Sequence, residues 1–149
     1  MIDPSPKQNR NARRAKRLDI DDWHVLIVDD QRDNLNIATE ALRFHGAHVQ
    51  TASNGIEGLE ILETYSPTLV LLDLSMPEMN GWDMLKAMRD NPDTQKIPVI
   101  ALTAHVMAGD EANVMAAGFD GYIPKPFSVA TIVLKIQSIL AQRQRGDAV

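Results

Sequence analysis

Val25-Leu26-Ile27-Val28-Asp29-Asp30 is an apolar run of strand length that ends in two adjacent carboxylates, and Leu69-Val70-Leu71-Leu72-Asp73 repeats the pattern with a third. Unbroken apolar runs of this length describe strands buried on both faces, the kind a parallel sheet contains. With the two runs side by side and parallel, their carboxyl ends share one edge, where open α/β sheets bind ligands. Three acids crowded there resist ionising together unless a cation lies among them. All-oxygen donors select a hard divalent ion, Mg²⁺ or Mn²⁺. Two further apolar segments, Ile100-Ala101-Leu102-Thr103-Ala104 and Tyr122-Ile123-Pro124-Lys125-Pro126-Phe127, bring a hydroxyl and an ammonium to strand ends. Three acids, a hydroxyl and a lysine equip a phosphoryl site.

Outward from these runs, strand-length apolar stretches alternate with segments of helical period. Leu35, Ala38 and Leu42 fall three and four apart, and Gly46 supplies a helix stop. Residues 47–52 alternate weakly, with His48 and Gln50 outward, as an edge strand does. Asn54 with Glu57 three residues on predicts the start of a second helix, which Pro67 closes off before the next strand. Asn80 and Asp83 open a third helix carrying Trp82, Leu85 and Met88; a fourth ends at Gly118. Ser128 caps a fifth, in which Val129, Ile132, Val133, Ile136, Ile139 and Leu140 keep helical spacing. Met107, Val114 and Met115 read as helix packing or part of a partner face. Five strands and five helices in alternation, joined by right-handed crossovers, predict a flavodoxin-like doubly wound parallel sheet of order 2-1-3-4-5. Its switch point, between strands 1 and 3, is where Asp29, Asp30 and Asp73 meet.

The chain's 149 residues and 44% hydrophobic content fit one domain with short additions: a basic extension at 1–22, a folded unit at 23–142 and a tail at 143–149. The formal net charge of -5 hides an asymmetry, because residues 1–22 hold six basic and four acidic side chains, +2, leaving -7 for the rest. An acidic body is a poor general nucleic-acid binder. Residues 10–18 contain helix formers with little apolar face and read as a frayed helix or flexible arm, with docking to an acidic partner as the other reading. Absence of Cys excludes disulfides, thiolate metal sites and a cysteine nucleophile. No membrane-length apolar span or signal peptide is present, so the expected location is cytoplasmic.

From about residue 23 to 142 the sequence resembles a bacterial response-regulator receiver domain. The resemblance rests on Asp29-Asp30, Asp73, the Met76-Pro77 and Gly81 loop, Thr103-Ala104, Tyr122 and Lys125-Pro126-Phe127, in order and register. It implies that Asp73 accepts a phosphoryl group from a phosphohistidine on a sensor kinase or phosphotransfer protein. It further implies that Asp29, Asp30, Asp73 and the Ser75 carbonyl hold Mg²⁺, that Thr103 hydrogen-bonds the phosphoryl group and that Lys125 pairs with it. Tyr122 corresponds to a rotameric switch partnered with Thr103, Ser75 and His105 to positions that tune dephosphorylation, and Lys125-Pro126 to a cis peptide. His105 has no second His or Cys spaced to join it on a metal and otherwise reads as a surface or interface histidine.

Because the residues after Leu140 supply no output domain, a stand-alone receiver is expected, with a downstream protein or a second copy binding the face of helix 4, strand 5 and helix 5. The chemistry asks for these residue types independently: phosphoryl transfer leaves a protein mainly to position the nucleophile and neutralise charge on the transferring oxygens. A carboxylate with its ordinary pKa is ionised at neutral pH and needs no general base. A haloacid-dehalogenase-type phosphatase spaces two first-strand aspartates by one residue, which Asp29-Asp30-Gln31 does not, and a flavodoxin-type FMN site needs a phosphate loop that Asp30-Gln31-Arg32-Asp33 would repel. A phosphorylation-independent adaptor of the same fold is the remaining alternative.

Overall fold

The computed structural model describes residues 20–104 and 110–147. A 3₁₀ turn at Ile20–Asp22 leads into β1 (His24–Val28), α1 (Arg32–Phe44), β2 (His48–Ala52), α2 (Gly55–Leu62) and β3 (Leu69–Asp73). There follow α3 (Gly81–Asp90), β4 (Val99–Thr103), α4 (Asp110–Ala117), β5 (Gly121–Pro124) and α5 (Val129–Asp147). All four strand pairings are parallel, in the order β2-β1-β3-β4-β5. Every residue of the central strands β3 and β4 is buried, whereas three of the five β2 residues are exposed and β5 alternates between buried and half-buried, so the edge strands do not read as continuous apolar stretches.

Strand alternation divides the core in two. Val25, Ile27, Leu69, Leu71, Ile100, Leu102 and Ile123 face Ala38, Ala41 and Leu42 of α1 and Ile132, Val133 and Ile136 of α5. Leu26, Val28, Val70, Leu72, Val99 and Ala101 face Met84, Leu85 and Met88 of α3 and Val114 of α4, with Leu59 and Leu62 of α2 at the margin. Helix starts are chemically marked: Asn54 Oδ1 accepts from the Glu57 N–H at 2.8 Å, Asn80 Oδ1 from Asp83 at 2.9 Å and Ser128 Oγ from Thr131 at 3.2 Å. Gly46, at φ +101°, takes the left-handed conformation that ends α1.

Both ends of the folded unit differ from the sequence expectation. Ile20 packs on the α1/α5 core and its carbonyl accepts from the Trp23 N–H at 3.0 Å, so the last residues assigned to the extension belong to the fold. The last helix continues through Asp147 rather than yielding to a tail at 143. Arg143 explains this: its Nε donates to Asp120 Oδ1 at 3.0 Å and its Nη2 to the Lys96 carbonyl at 2.7 Å. Asp120 also accepts from Arg89 at 3.2 Å and from the Val99 N–H at 2.8 Å, so one carboxylate ties α5, α3 and β4 together. These partners of Asp120 are 21 or more residues away from it, beyond the reach of a local pattern.

Candidate functional site

Parallel register brings the strand ends together. Val28 pairs with Leu72, Asp73 with Leu102 and Thr103 with Pro124, so Asp29, Asp73, Thr103 and Lys125 follow one another across the carboxyl edge of β1, β3, β4 and β5. Asp29 is fully buried and Asp73 is 4% exposed, while Asp30 is open to solvent. One carboxylate oxygen from each of the three lies within 4.8 Å of the others. The acid cluster expected from the two apolar runs is therefore formed, with Lys125 inside it: Nζ stands 2.8 Å from Asp29 Oδ2 and 3.3 Å from Asp73 Oδ1.

Local turns aim the two buried acids. Asp29 Oδ1 accepts from the Gln31 N–H at 2.9 Å and Asp73 Oδ1 from the Ser75 N–H at 3.2 Å, each an Asx-type turn two residues long. Gln31, at the N-cap of α1, makes no side-chain capping bond, so Asp29 is spent on the site edge rather than on a helix cap. The loop after Asp73 is compressed. A Cβ on Gly81 would stand 2.3 Å from the Asp73 carbonyl oxygen, so only glycine fits without moving the strand end. Within that loop the Met79 N–H reaches the Pro77 carbonyl at 2.8 Å around Glu78 at φ +67°, a strained γ-turn that the Met76-Pro77 signal did not reveal.

Electrostatics correct one sequence expectation. Burial first and the Asp29 charge second push the Asp73 carboxyl from its ordinary 3.8 to about 7, against the opposing pull of Lys125 and the Ser75 N–H. Without a cation, Asp73 is thus not fully ionised at neutral pH as its residue type alone implies. A divalent ion suits this donor set: oxygen ligands only, mutually repelling, already converging.

Thr103 ends β4, 8% exposed, and its carbonyl accepts from the Lys125 N–H at 2.7 Å. The Lys125-Pro126 peptide is cis, as the resemblance implied. Tyr122 sits opposite Ala101, two positions before Thr103, and alternation places both on the α3/α4 side. Its hydroxyl donates to Glu111 of α4, which with burial raises the phenol above its ordinary value. Glu111 was not singled out from sequence, because a polar residue in a weakly amphipathic helix carries no pairing signal. His105 and residues 1–19 lie outside the described residues.

Comparison with known proteins agrees with the fold. The profile of the response regulator receiver domain matches residues 25–137, and the chain belongs to that family, a regulatory module of two-component signalling. Among particular relatives, the polar-differentiation response regulator DivK of Brucella anthropi is 35% identical over 124 residues, covering 83% of this chain and 97% of that protein. DivK of Brucella ovis is 34% identical over the same span. Of solved structures, the chemotaxis response regulator CheY4 of Vibrio cholerae superposes with a TM-score of 0.74 at 27% identity, covering 78% of this chain and 98% of that one. A response regulator from Chloroflexus aurantiacus gives 0.74 at 29%, covering 80% and 98%. Among the described residues no helix is long and apolar enough to cross a membrane.

Proposed function

We propose that this receiver accepts a phosphoryl group on Asp73 from a phosphohistidine of a sensor kinase or histidine phosphotransfer protein, and signals in the cytoplasm through phosphorylation-dependent protein contacts. The observation that carries the reading is the buried Asp73 carboxylate, clustered with two other acids and 3.3 Å from the Lys125 ammonium. An Asp73 oxygen attacks phosphorus in line, and the P–N bond of the donor breaks with its electron pair returning to the imidazole, leaving an acyl phosphate. Lys125, a point charge on a flexible stem, leaves Asp73 to pair with the phosphoryl oxygens. Thr103 donates its hydroxyl to the same group. Asp29, Asp30, Asp73 and the Ser75 carbonyl would hold Mg²⁺ or Mn²⁺, which supplies positive charge to the transferring oxygens when bound. By the resemblance to receivers, Ser75 and His105 tune how fast water removes the phosphoryl group.

The readout runs from Thr103 to Tyr122 and onto α4, β5 and α5, where Met115 and Leu134 are exposed apolar side chains available to a downstream protein or a second copy. Incubation with acetyl phosphate and Mg²⁺ tests the assignment: one base-labile phosphoryl group is expected per chain, and none on Asp73→Asn. Undiminished labelling of that variant overturns it.

A further inference from the structure

The opposite edge of the sheet carries a second cluster of ligating side chains that phosphoryl chemistry does not use. His24 opens β1 and His48 opens β2, and the two are register partners. Their rings stack face to face, centroids 4.6 Å apart and planes 11° from parallel. Both are exposed, on the side of the sheet that carries Leu26 and Ala52, above a shallow groove of about 430 Å³ that Arg43, Gln50 and Tyr65 also line. Their backbones are fixed on both sides: the His24 N–H donates to Thr68 Oγ1 at 2.9 Å and the His48 N–H to the Trp23 carbonyl at 2.9 Å.

We propose that His24 and His48 form a two-imidazole site for a transition-metal cation, Zn²⁺ above all, distinct from the acidic site for the hard ion. Neutral imidazole suits Zn²⁺ and not Mg²⁺. Metal–nitrogen bonds of about 2.0–2.1 Å require the two ligating nitrogens to stand about 3.3–4.2 Å apart. An imidazole donates in its ring plane, so the stacked rings, 11° from parallel, must turn about χ1 and χ2 until their edges converge on one ion, a rotation that two exposed side chains on adjacent register positions have room to make. Parallel-strand spacing sets this distance, so the sheet itself pre-organises the pair. The Arg43 guanidinium, the cation nearest the groove, is turned to the Val49 carbonyl at 3.1 Å, and Asp21 lies beside Gly46 at the rim. Among the described residues no third acid or imidazole completes the set, so water takes the remaining positions. An ion bound here clips edge strand β2 to β1. Asp29 lies five residues along β1, about 17 Å away at about 3.3 Å per residue, so the two sites fill independently.

Calorimetry of Zn²⁺ into the untagged full-length protein, with excess Mg²⁺ present to occupy the acidic cluster, tests this. One Zn²⁺ per chain is expected, with His24→Gln and His48→Gln each weakening it by about tenfold or more, the loss of one of two ligand bonds. His45→Gln, whose wild-type ring is tied to the Ala41 carbonyl, and Asp30→Asn are expected to bind as the parent does. Circular dichroism shows that the variants fold, and Zn²⁺ should shift the ring resonances of His24 and His48 only. Unchanged affinity in both His variants, loss on Asp30→Asn, or shifts confined to His45 or His105 overturn the proposal.

Discussion

Replacing Asp73 by Asn is expected to stabilise the metal-free protein at pH 8 and to leave its stability at pH 4 nearly unchanged. The native Asp73 carboxyl titrates at about 7 rather than 3.8, chiefly through burial and then through Asp29. An unfolded chain releases this proton near the ordinary value, so between about pH 4 and 7 the native state holds the extra proton, and stability falls as pH rises. At about 1.36 kcal/mol per unit the whole rise corresponds to about 4 kcal/mol, complete above pH 7 and absent below pH 4. Asn keeps an oxygen for the Ser75 N–H but loses the attraction to Lys125, which reduces the expected gain to about 2–3 kcal/mol, or about 5–10 °C in Tm. Urea titrations of both proteins in chelator, at several pH values from about 4 to 8, give the difference free of every other titrating group. That difference should grow through the window and level off above it. A flat difference, or a variant less stable than the parent at pH 8, would refute the account of the site as a charge cluster held under strain.

Mg²⁺ must displace the Asp73 proton, so its affinity should rise by up to about tenfold per unit as pH climbs toward 7 and then level off; calorimetry in buffers of different ionisation enthalpy reads the proton, and Asp30→Asn should weaken binding throughout. Gly81→Ala should cost about 3 kcal/mol by urea titration and slow phosphorylation by acetyl phosphate, since its Cβ would press on the Asp73 carbonyl. Asp120→Ala, which strands the Arg89 and Arg143 guanidiniums and the Val99 N–H, should cost about 2 kcal/mol with no change in Mg²⁺ affinity. Thr103→Ala and Tyr122→Ala should take up phosphate on Asp73 yet lose phosphorylation-dependent association in sedimentation and partner pull-down; responses like the parent's would place the readout on another face.

The strands and the acid cluster were legible because two sequence signals coincide at them. A central parallel strand must be apolar on both faces, so its first polar residue marks its carboxyl end, and parallel ends share an edge. Asp29, Asp73 and Thr103 follow from that rule, while Lys125 closes the short apolar run of edge strand β5. Helix starts at Asn54, Asn80 and Ser128 were legible for a similar reason, as their caps bond within three residues. Features set by partners distant in sequence were not. Nothing near Asp120 shows that Arg89 and Arg143 close on it, so the sequence alone ends the folded unit at 142. Nor do the residues around His24 announce His48, since sheet register, not sequence, stacks the rings. The raised Asp73 carboxyl belongs to the same class: burial and a charge 44 positions upstream create it.

The position of Lys125 gives the site an order of events. Three carboxylates against one ammonium carry a formal charge of -2, concentrated where two of the acids are buried. In that state Asp73 relieves part of the repulsion by holding a proton, and the protonated acid is a poor nucleophile. With a divalent cation held by the acids the formal sum would be zero, and Asp73 would give up its proton and be ionised at neutral pH. Only then can Lys125 leave the carboxylates at small cost and meet an incoming phosphoryl group, because its present partners are neutralised by another charge. On the proposed function, metal binding would precede phosphoryl transfer because one lysine and three acids share one sheet edge, and Lys125→Met should uncouple the two. That variant retains the acids and should bind Mg²⁺ more tightly than the parent, since no ammonium competes for Asp29 and Asp73, yet take up phosphate more slowly. Weaker Mg²⁺ binding in Lys125→Met would show that the lysine organises the carboxylates instead of competing for them.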